Sequence, residues 1–313
     1  MANIDEVNSG SRIEIQSGNG ARRPTVSLRS RLRACRSFLL TPGSRPERFA
    51  STPAFGGDAI IVDLESTVAP DDKRHARDAA LAFFREPPAA DFMRILRVNS
   101  PRSASGLRDL LALLEAGSQP DAVILPKCQS ADEIRVVVDI LDGSRIGIIP
   151  MVELARAVFV AELMADAHER VCGLFLGGGD LAADLGVEGT WENLLYARSK
   201  FVAAAASTGL AAIDVPYFKA DEAGLRQEAM ASRKLGMTGK AALHAEQLAV
   251  INTVFTPSPD AVSHARSVVA ACNTAGRSAP VLAGQVLEPA MLREAERVLA
   301  IARKSHGVLQ KPH

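Results

Sequence analysis

Glu153 follows one short apolar run, and Asp180 follows another together with three glycines. The two carboxylates are 27 residues apart, the length of one strand–helix unit. That spacing predicts that they stand at the ends of neighbouring parallel strands, about 5 Å apart. Carboxylates that close repel one another unless a cation lies between them or one of them keeps a proton. A hard divalent cation suits the first case. Mg²⁺ takes one or two protein carboxylates and leaves its other positions to water and substrate. The second case would be one carboxylate held protonated for acid–base work. No His/Cys cluster offers a softer metal site.

Other polar groups also follow apolar runs: Thr41 to Arg45, Asp63 and Glu65, Arg97 and Asn99, Lys127, Asp214 and Tyr217, and His244. A barrel built only for stability needs no such ring, so the set reads as a functional rim. Arg97 is the candidate anion clamp, because a guanidinium grips a carboxylate with two parallel bonds. A metal and an arginine on one rim suit a 2-oxo acid. Gly177, Gly178 and Gly179 permit close backbone approach, and their N–H groups can meet a carboxylate. Their spacing matches no nucleotide-binding loop. Lys127 could form a Schiff base, although a structural or phosphate-contacting role fits its Pro126 and Cys128 flanks better. His244 is read as orienting a rim loop and not as the base.

The elements that must position these groups repeat. Apolar runs at 37–40, 59–64, 93–98, 122–125, 146–152, 171–176, 211–215 and 240–243 alternate with amphipathic stretches. Strands alternating with helices run parallel, and strands apolar on both faces are covered on both faces. Eight units of about 27 residues predict a closed (β/α)8 barrel, a TIM barrel, over 36–256. Residues 257–313 read as a C-terminal helical lid, an appendage of the barrel. Residues 1–35, rich in Ser, Gly, Asn and Arg, read as a disordered tail, because they lack an apolar period and Asp5, Glu6 and Glu14 argue against a transit peptide.

Composition supports these limits. Of 313 residues, 36 are Lys or Arg and 36 are Asp or Glu, a balance unlike that of a nucleic-acid binder. A 47% hydrophobic content supports a large core, and no apolar run is long enough to span a membrane. Four scattered cysteines point away from a disulfide framework and suit the cytoplasm.

Taken in order, these residues resemble the citrate lyase β-subunit-like family, within the wider group of HpcH/HpaI aldolases and malyl-CoA lyases. The resemblance rests on Arg36 with Thr41-Pro42-Gly43-Ser44-Arg45, Asp58, Asp63-Leu64-Glu65, Arg97-Val98-Asn99, Leu125-Pro126-Lys127, Pro150 to Glu153, Gly177 to Leu181, His244, Gln247 and Thr256-Pro257-Ser258. It implies a Mg²⁺-dependent carbon–carbon lyase. Such an enzyme works on an acyl-CoA thioester of a hydroxy acid, such as malyl- or citramalyl-CoA, and releases a 2-oxo acid. It further implies Mg²⁺ on Glu153 and Asp180 and substrate contacts from Arg97, Glu153 and Gly179. Arg45 or Arg48 would meet the thioester carrier's phosphates, and catalytic roles would fall to Arg97, Glu65 and Glu288. The C-terminal segment would pack over a neighbouring subunit's site in a homotrimer or hexamer.

Three positions depart from the family pattern. Ser66 replaces an Asp after Glu65, Ala245 replaces a Pro after His244, and Glu288 stands where malyl-CoA lyases carry an acid–base Asp. One methylene is enough to misplace a proton-transfer group. Two other readings therefore stay open: the β subunit of an acyl-carrier-protein-dependent citrate lyase, and a non-catalytic barrel that keeps metal and oxo-acid binding.

Overall fold

In the computed structural model of the chain, the described residues are 27–88, 92–117, 119–275 and 279–309. Eight parallel strands form a closed barrel in chain order: β1 (Ser37–Pro42), β2 (Ala59–Asp63), β3 (Met93–Arg97), β4 (Ala122–Leu125), β5 (Gly147–Val152), β6 (Gly173–Leu176), β7 (Ala211–Asp214) and β8 (Gly239–Ala242). β8 closes onto β1 with Ser37 opposite Lys240. The helices are α1 (Leu28–Arg33), α2 (Lys73–Arg85), α3 (Ala104–Ala116), α4 (Ala131–Ile140), α5 (Ala155–Ala165), α6 (Gly178–Leu185), α7 (Leu195–Ser207), α8 (Glu222–Leu235), α9 (Glu246–Phe255), α10 (Pro259–Thr274) and α11 (Pro289–Leu309).

Local chemistry sets the helix ends. Ser103, Ser130, Asp221 and Ser258 each accept a first-turn N–H at the start of α3, α4, α8 and α10. Gly117 and Gly236 end α3 and α8 in the left-handed conformation that suits glycine. The helix expected after β1 is instead a 3₁₀ segment, Pro46–Phe55, in which Pro53 removes an N–H donor.

Alternate residues of each strand split the core into two layers. Phe38, Ile61, Ile95, Ile124, Ile149, Phe175 and Ile213 fill the barrel. Ile60, Val62, Leu96, Val123, Ile148 and Leu174 face the helix ring. This is why the strands read as continuous apolar runs.

Residues 28–35 differ from the expected loose tail. Leu32 of α1 is fully buried, and the helix plugs the N-terminal mouth of the barrel. Gly147 and Gly173 make room for it, since a Cβ there would lie 2.5 Å from Leu28 and 2.8 Å from Leu32. Arg31 reaches Asp121 at 3.0 Å, and Arg29 donates to the Val171 carbonyl at 2.9 Å. Two apolar residues in six are too few to show a period, so sequence alone gives no sign of the plug. The rest of the predicted tail, 1–26, lies outside the described residues.

In the C-terminal appendage α10 packs against α11 around Val268, Leu287 and Ala295. Before α11 a short hairpin turns at Ala283 and Gly284, both with positive φ. Among the described residues, no helix is long and apolar enough to cross a membrane.

Candidate active site

At the C-terminal mouth, the ends of β2, β3, β4 and β5 and the start of α6 bring charged side chains together. Asp63, fully buried at the end of β2, accepts from Arg97 Nε at 2.6 Å and Nη2 at 2.8 Å. Thr67 Oγ1 and the Glu65 N–H also donate to it, at 2.6 and 2.8 Å. Burial acts to raise the Asp63 pKa, but the Arg97 charge and these bonds hold it below the ordinary carboxylate range. Most of the arginine fork is therefore filled by Asp63. The Nη1 edge looks toward Glu65 at 3.5 Å, and Nη2 also donates to Ser66 Oγ at 2.6 Å. Ser66 thus stays on the arginine as a neutral acceptor where an aspartate would add a charge.

Glu65 sits between Arg97 and Lys127, the latter at 3.4 Å, and its buried Oε2 has no hydrogen-bond partner. Lys127 occupies an unusual backbone position, with φ of 57°. Its N–H donates to Glu153 Oε1 at 2.5 Å, and its ammonium donates to Asp180 Oδ2 at 2.9 Å. Burial works against the Lys127 charge, yet the Asp180 bond and the charges of Glu153 and Glu65 raise its pKa. A Schiff-base lysine needs the opposite shift, so that reading falls away.

Glu153 is buried just past β5, and desolvation pushes its pKa up to about 7. Lys127 counters that shift in part, while Asp180 and Glu65 add to it. Gly177 is required here, because a Cβ would stand 2.4 Å from the Glu153 Cβ. Asp180 is not at a strand end as the spacing predicts. Three glycines close β6 and start α6, which places Asp180 in that helix's first turn. Burial acts to raise its pKa, but the Lys127 bond and charge lower it overall. The first-turn N–H groups, Gly179 among them, have no partner within the helix.

The donor set fits a divalent cation. Four carboxylates (Asp63, Glu65, Glu153 and Asp180) face two directly paired cations, Arg97 and Lys127. A third, Lys73, turns its ammonium to the carbonyl oxygens of Leu64 and Glu65. Even with Lys73 counted, four carboxylates face three cations, and Asp180, half exposed, has Lys127 as its one ion-pair partner among the described residues. Among the described residues no three His, Cys, Asp or Glu side chains form a ready-made metal cage. Such a site would leave positions for water and substrate.

Several predicted rim residues go elsewhere. Asn99 is tied to Asp109 of α3 through its N–H at 2.8 Å and its amide at 2.7 Å. Asp214 joins a closed cluster with Arg198, Ser232 and Lys240. Arg36 and Asp58, which carry part of the family resemblance and are not among the expected rim residues, form a bidentate pair at the opposite mouth. Arg45 is exposed at the start of the 3₁₀ segment, 3.7 Å from Glu47. His244 is exposed in the β8–α9 loop, whose N–H groups are held by Gln247. Glu288 is exposed just before α11, and α11 shares a cavity with α1 through Arg293, Arg297 and Ala300. Sequence reading missed Lys73, and missed Lys127 as a partner of the carboxylates. Its only signal was a lysine at a strand end beside so many acids.

Residues 36–245 match the model of the HpcH/HpaI aldolase/citrate lyase family. An L-malyl-CoA/β-methylmalyl-CoA lyase of Rhodobacter capsulatus is 32% identical over 86% of this chain and 94% of its own length. A (3S)-malyl-CoA thioesterase of Cereibacter sphaeroides is 34% identical over 85% of this chain and 94% of its own. Among solved structures, the CitE protein of Mycobacterium tuberculosis in complex with magnesium, acetoacetate and coenzyme A superimposes with a TM-score of 0.68. It is 31% identical and covers 87% of this chain and 99% of its own. The chain belongs to the HpcH/HpaI aldolase/citrate lyase family.

Proposed function

We propose that this family member cleaves and forms the carbon–carbon bond between an acyl-CoA thioester and a 2-oxo acid, with malyl- or citramalyl-CoA as the substrate type. Glu153 and Asp180 would hold Mg²⁺. The observation that carries the reading is the excess of carboxylate over cation where Glu65, Glu153 and Asp180 converge. The names of the lyase relative and of the magnesium-bound structural neighbour support it.

Bound there, Mg²⁺ would act as a Lewis acid on the oxo-acid oxygens and offset negative charge developing in the transition state. The protein's own groups do the rest. Asp63 locks the Arg97 fork, so the Nη1 edge meets a substrate oxygen with little reorganisation. Gly179 offers its first-turn N–H to the oxo-acid carboxylate. Glu65, 3.5 Å from Arg97 Nη1 and 3.4 Å from Lys127, would serve as the catalytic carboxylate beside the arginine edge that meets the substrate. Arg45 meets the carrier's phosphates from the exposed rim. Glu288 serves as acid–base only from a neighbouring copy, in a homotrimer or hexamer.

The test is a panel of malyl-, citramalyl- and citryl-thioesters with Mg²⁺, following 2-oxo acid release. The expected result is oxo acid and acyl-CoA in equal amounts, lowered roughly a thousandfold by Glu153→Ala. Cleavage that survives EDTA or Glu153→Ala contradicts the reading. Hydroxy acid and free thiol without oxo acid would place the chain with the thioesterase relative. Turnover only of a citryl group on acyl carrier protein would favour the citrate lyase subunit.

A further inference from the structure

We propose that Lys127 is a built-in counter-ion of the divalent site, occupying the carboxylate cluster in the metal-free protein and leaving Asp180 when the metal binds. The inference rests on the Mg²⁺ reading above and concerns how this chain's own residues compete with the ion.

Three observations carry it. Lys127 touches both proposed metal ligands by different means: its backbone N–H holds Glu153 at 2.5 Å, and its ammonium holds Asp180 at 2.9 Å. The backbone contact requires φ of 57°, a conformation that residues with a Cβ rarely adopt. The residue is thus fixed at its backbone while its long side chain remains able to move. Second, the ammonium also lies 3.4 Å from Glu65, so it bridges carboxylates that would otherwise face one another. A cation at that place offsets the repulsion between those carboxylates. Third, the exit is open. The Lys127 side chain is 40% exposed and that of Asp180 50% exposed, so the ammonium can swing into water on its apolar stem. A monovalent and a divalent cation on the same carboxylates repel one another. Binding of the second therefore favours departure of the first.

The sign of the effect separates this role from that of a side chain that merely props Asp180 in place. Removing the ammonium should tighten Mg²⁺ binding, whereas removing a prop should weaken it. The experiment is isothermal titration of the metal-free full-length chain with Mg²⁺, for wild type, Lys127→Met and Lys127→Gly. Lys127→Gly relieves the left-handed backbone and keeps the N–H to Glu153, so it serves if Lys127→Met folds poorly. Both variants should bind Mg²⁺ about tenfold more tightly than wild type, from loss of one nearby positive charge. Their metal-free melting temperatures should fall, and the rise on adding Mg²⁺ should be larger. Unchanged or weaker binding in both variants overturns the proposal. Glu153→Gln is the control. If it leaves wild-type Mg²⁺ binding untouched, the metal reading itself has failed and this inference falls with it.

Discussion

Two lysine-centred charge clusters stand at strand ends of one barrel, and they are built to different rules. On the β7–β8 side, Lys240 donates to Asp214 at 2.8 Å, Glu228 at 2.7 Å and the Val215 carbonyl at 2.8 Å. Arg198 completes that cluster, giving two cations for two carboxylates, with Asp214 and Lys240 fully buried. On the β2–β6 side, Lys127, Arg97 and Lys73 stand among Asp63, Glu65, Glu153 and Asp180, three cations for four carboxylates, and the Lys127 and Asp180 side chains reach water. The first cluster is closed and balanced, which suits a fixed joint between strands and helices. The second is open and has too many negative charges, which suits a site that takes up a cation and turns it over with substrate. Charge balance and exposure distinguish structure from function here better than residue type does.

Breaking each cluster should give different symptoms. In the open cluster, Glu153→Gln should reduce thioester cleavage roughly a thousandfold, with circular dichroism and melting little changed. A melting loss as large as the activity loss would erase the distinction. In the closed cluster, Asp214→Ala leaves the buried Arg198 without its carboxylate and Lys240 with Glu228 as its carboxylate partner, and should cost about 3–5 kcal/mol of stability, measured by denaturant unfolding. Gly177→Ala sharpens the comparison, since it adds a methyl 2.4 Å from the Glu153 Cβ without touching charge. Moving that carboxylate should cost about a hundredfold in rate while the closed cluster stays intact. Next comes pH. A metal ligand must be ionised, and the buried Glu153 carboxyl sits at about 7. Mg²⁺ affinity should therefore be flat above that pH and fall up to about tenfold for each unit below it. A pH-independent affinity would remove Glu153 from the ligands. Smallest is Arg45→Ala, which should raise KM for the CoA thioester roughly tenfold with kcat unchanged.

Much of this was legible in the sequence. Apolar runs at regular spacing gave the barrel, because parallel strands buried on both faces carry little else. The Glu153–Asp180 interval put both acids on one rim, though it missed that the glycines before Asp180 begin a helix. Spacing fixes which end of the barrel a residue reaches, and it does not fix which partner the side chain meets there. Hence Asn99 and Asp214 looked like site residues, yet each is bound to a neighbouring helix or strand. Hence too Lys127 was weighed as a nucleophile, because its pairing with Asp180 depends on a left-handed backbone that no local pattern announces. The α1 plug escaped notice because Leu28 and Leu32 gain meaning only against Gly147 and Gly173, more than a hundred residues away.

The central claim is that Glu153 and Asp180 of the open cluster supply the oxygens that hold a divalent cation. Calorimetric titration of the metal-free chain with Mg²⁺, beside its Glu153→Gln variant, tests it directly. The account predicts one ion per chain for the wild type and a binding curve lost in the variant. Equal binding by both proteins, or none by either, would contradict it.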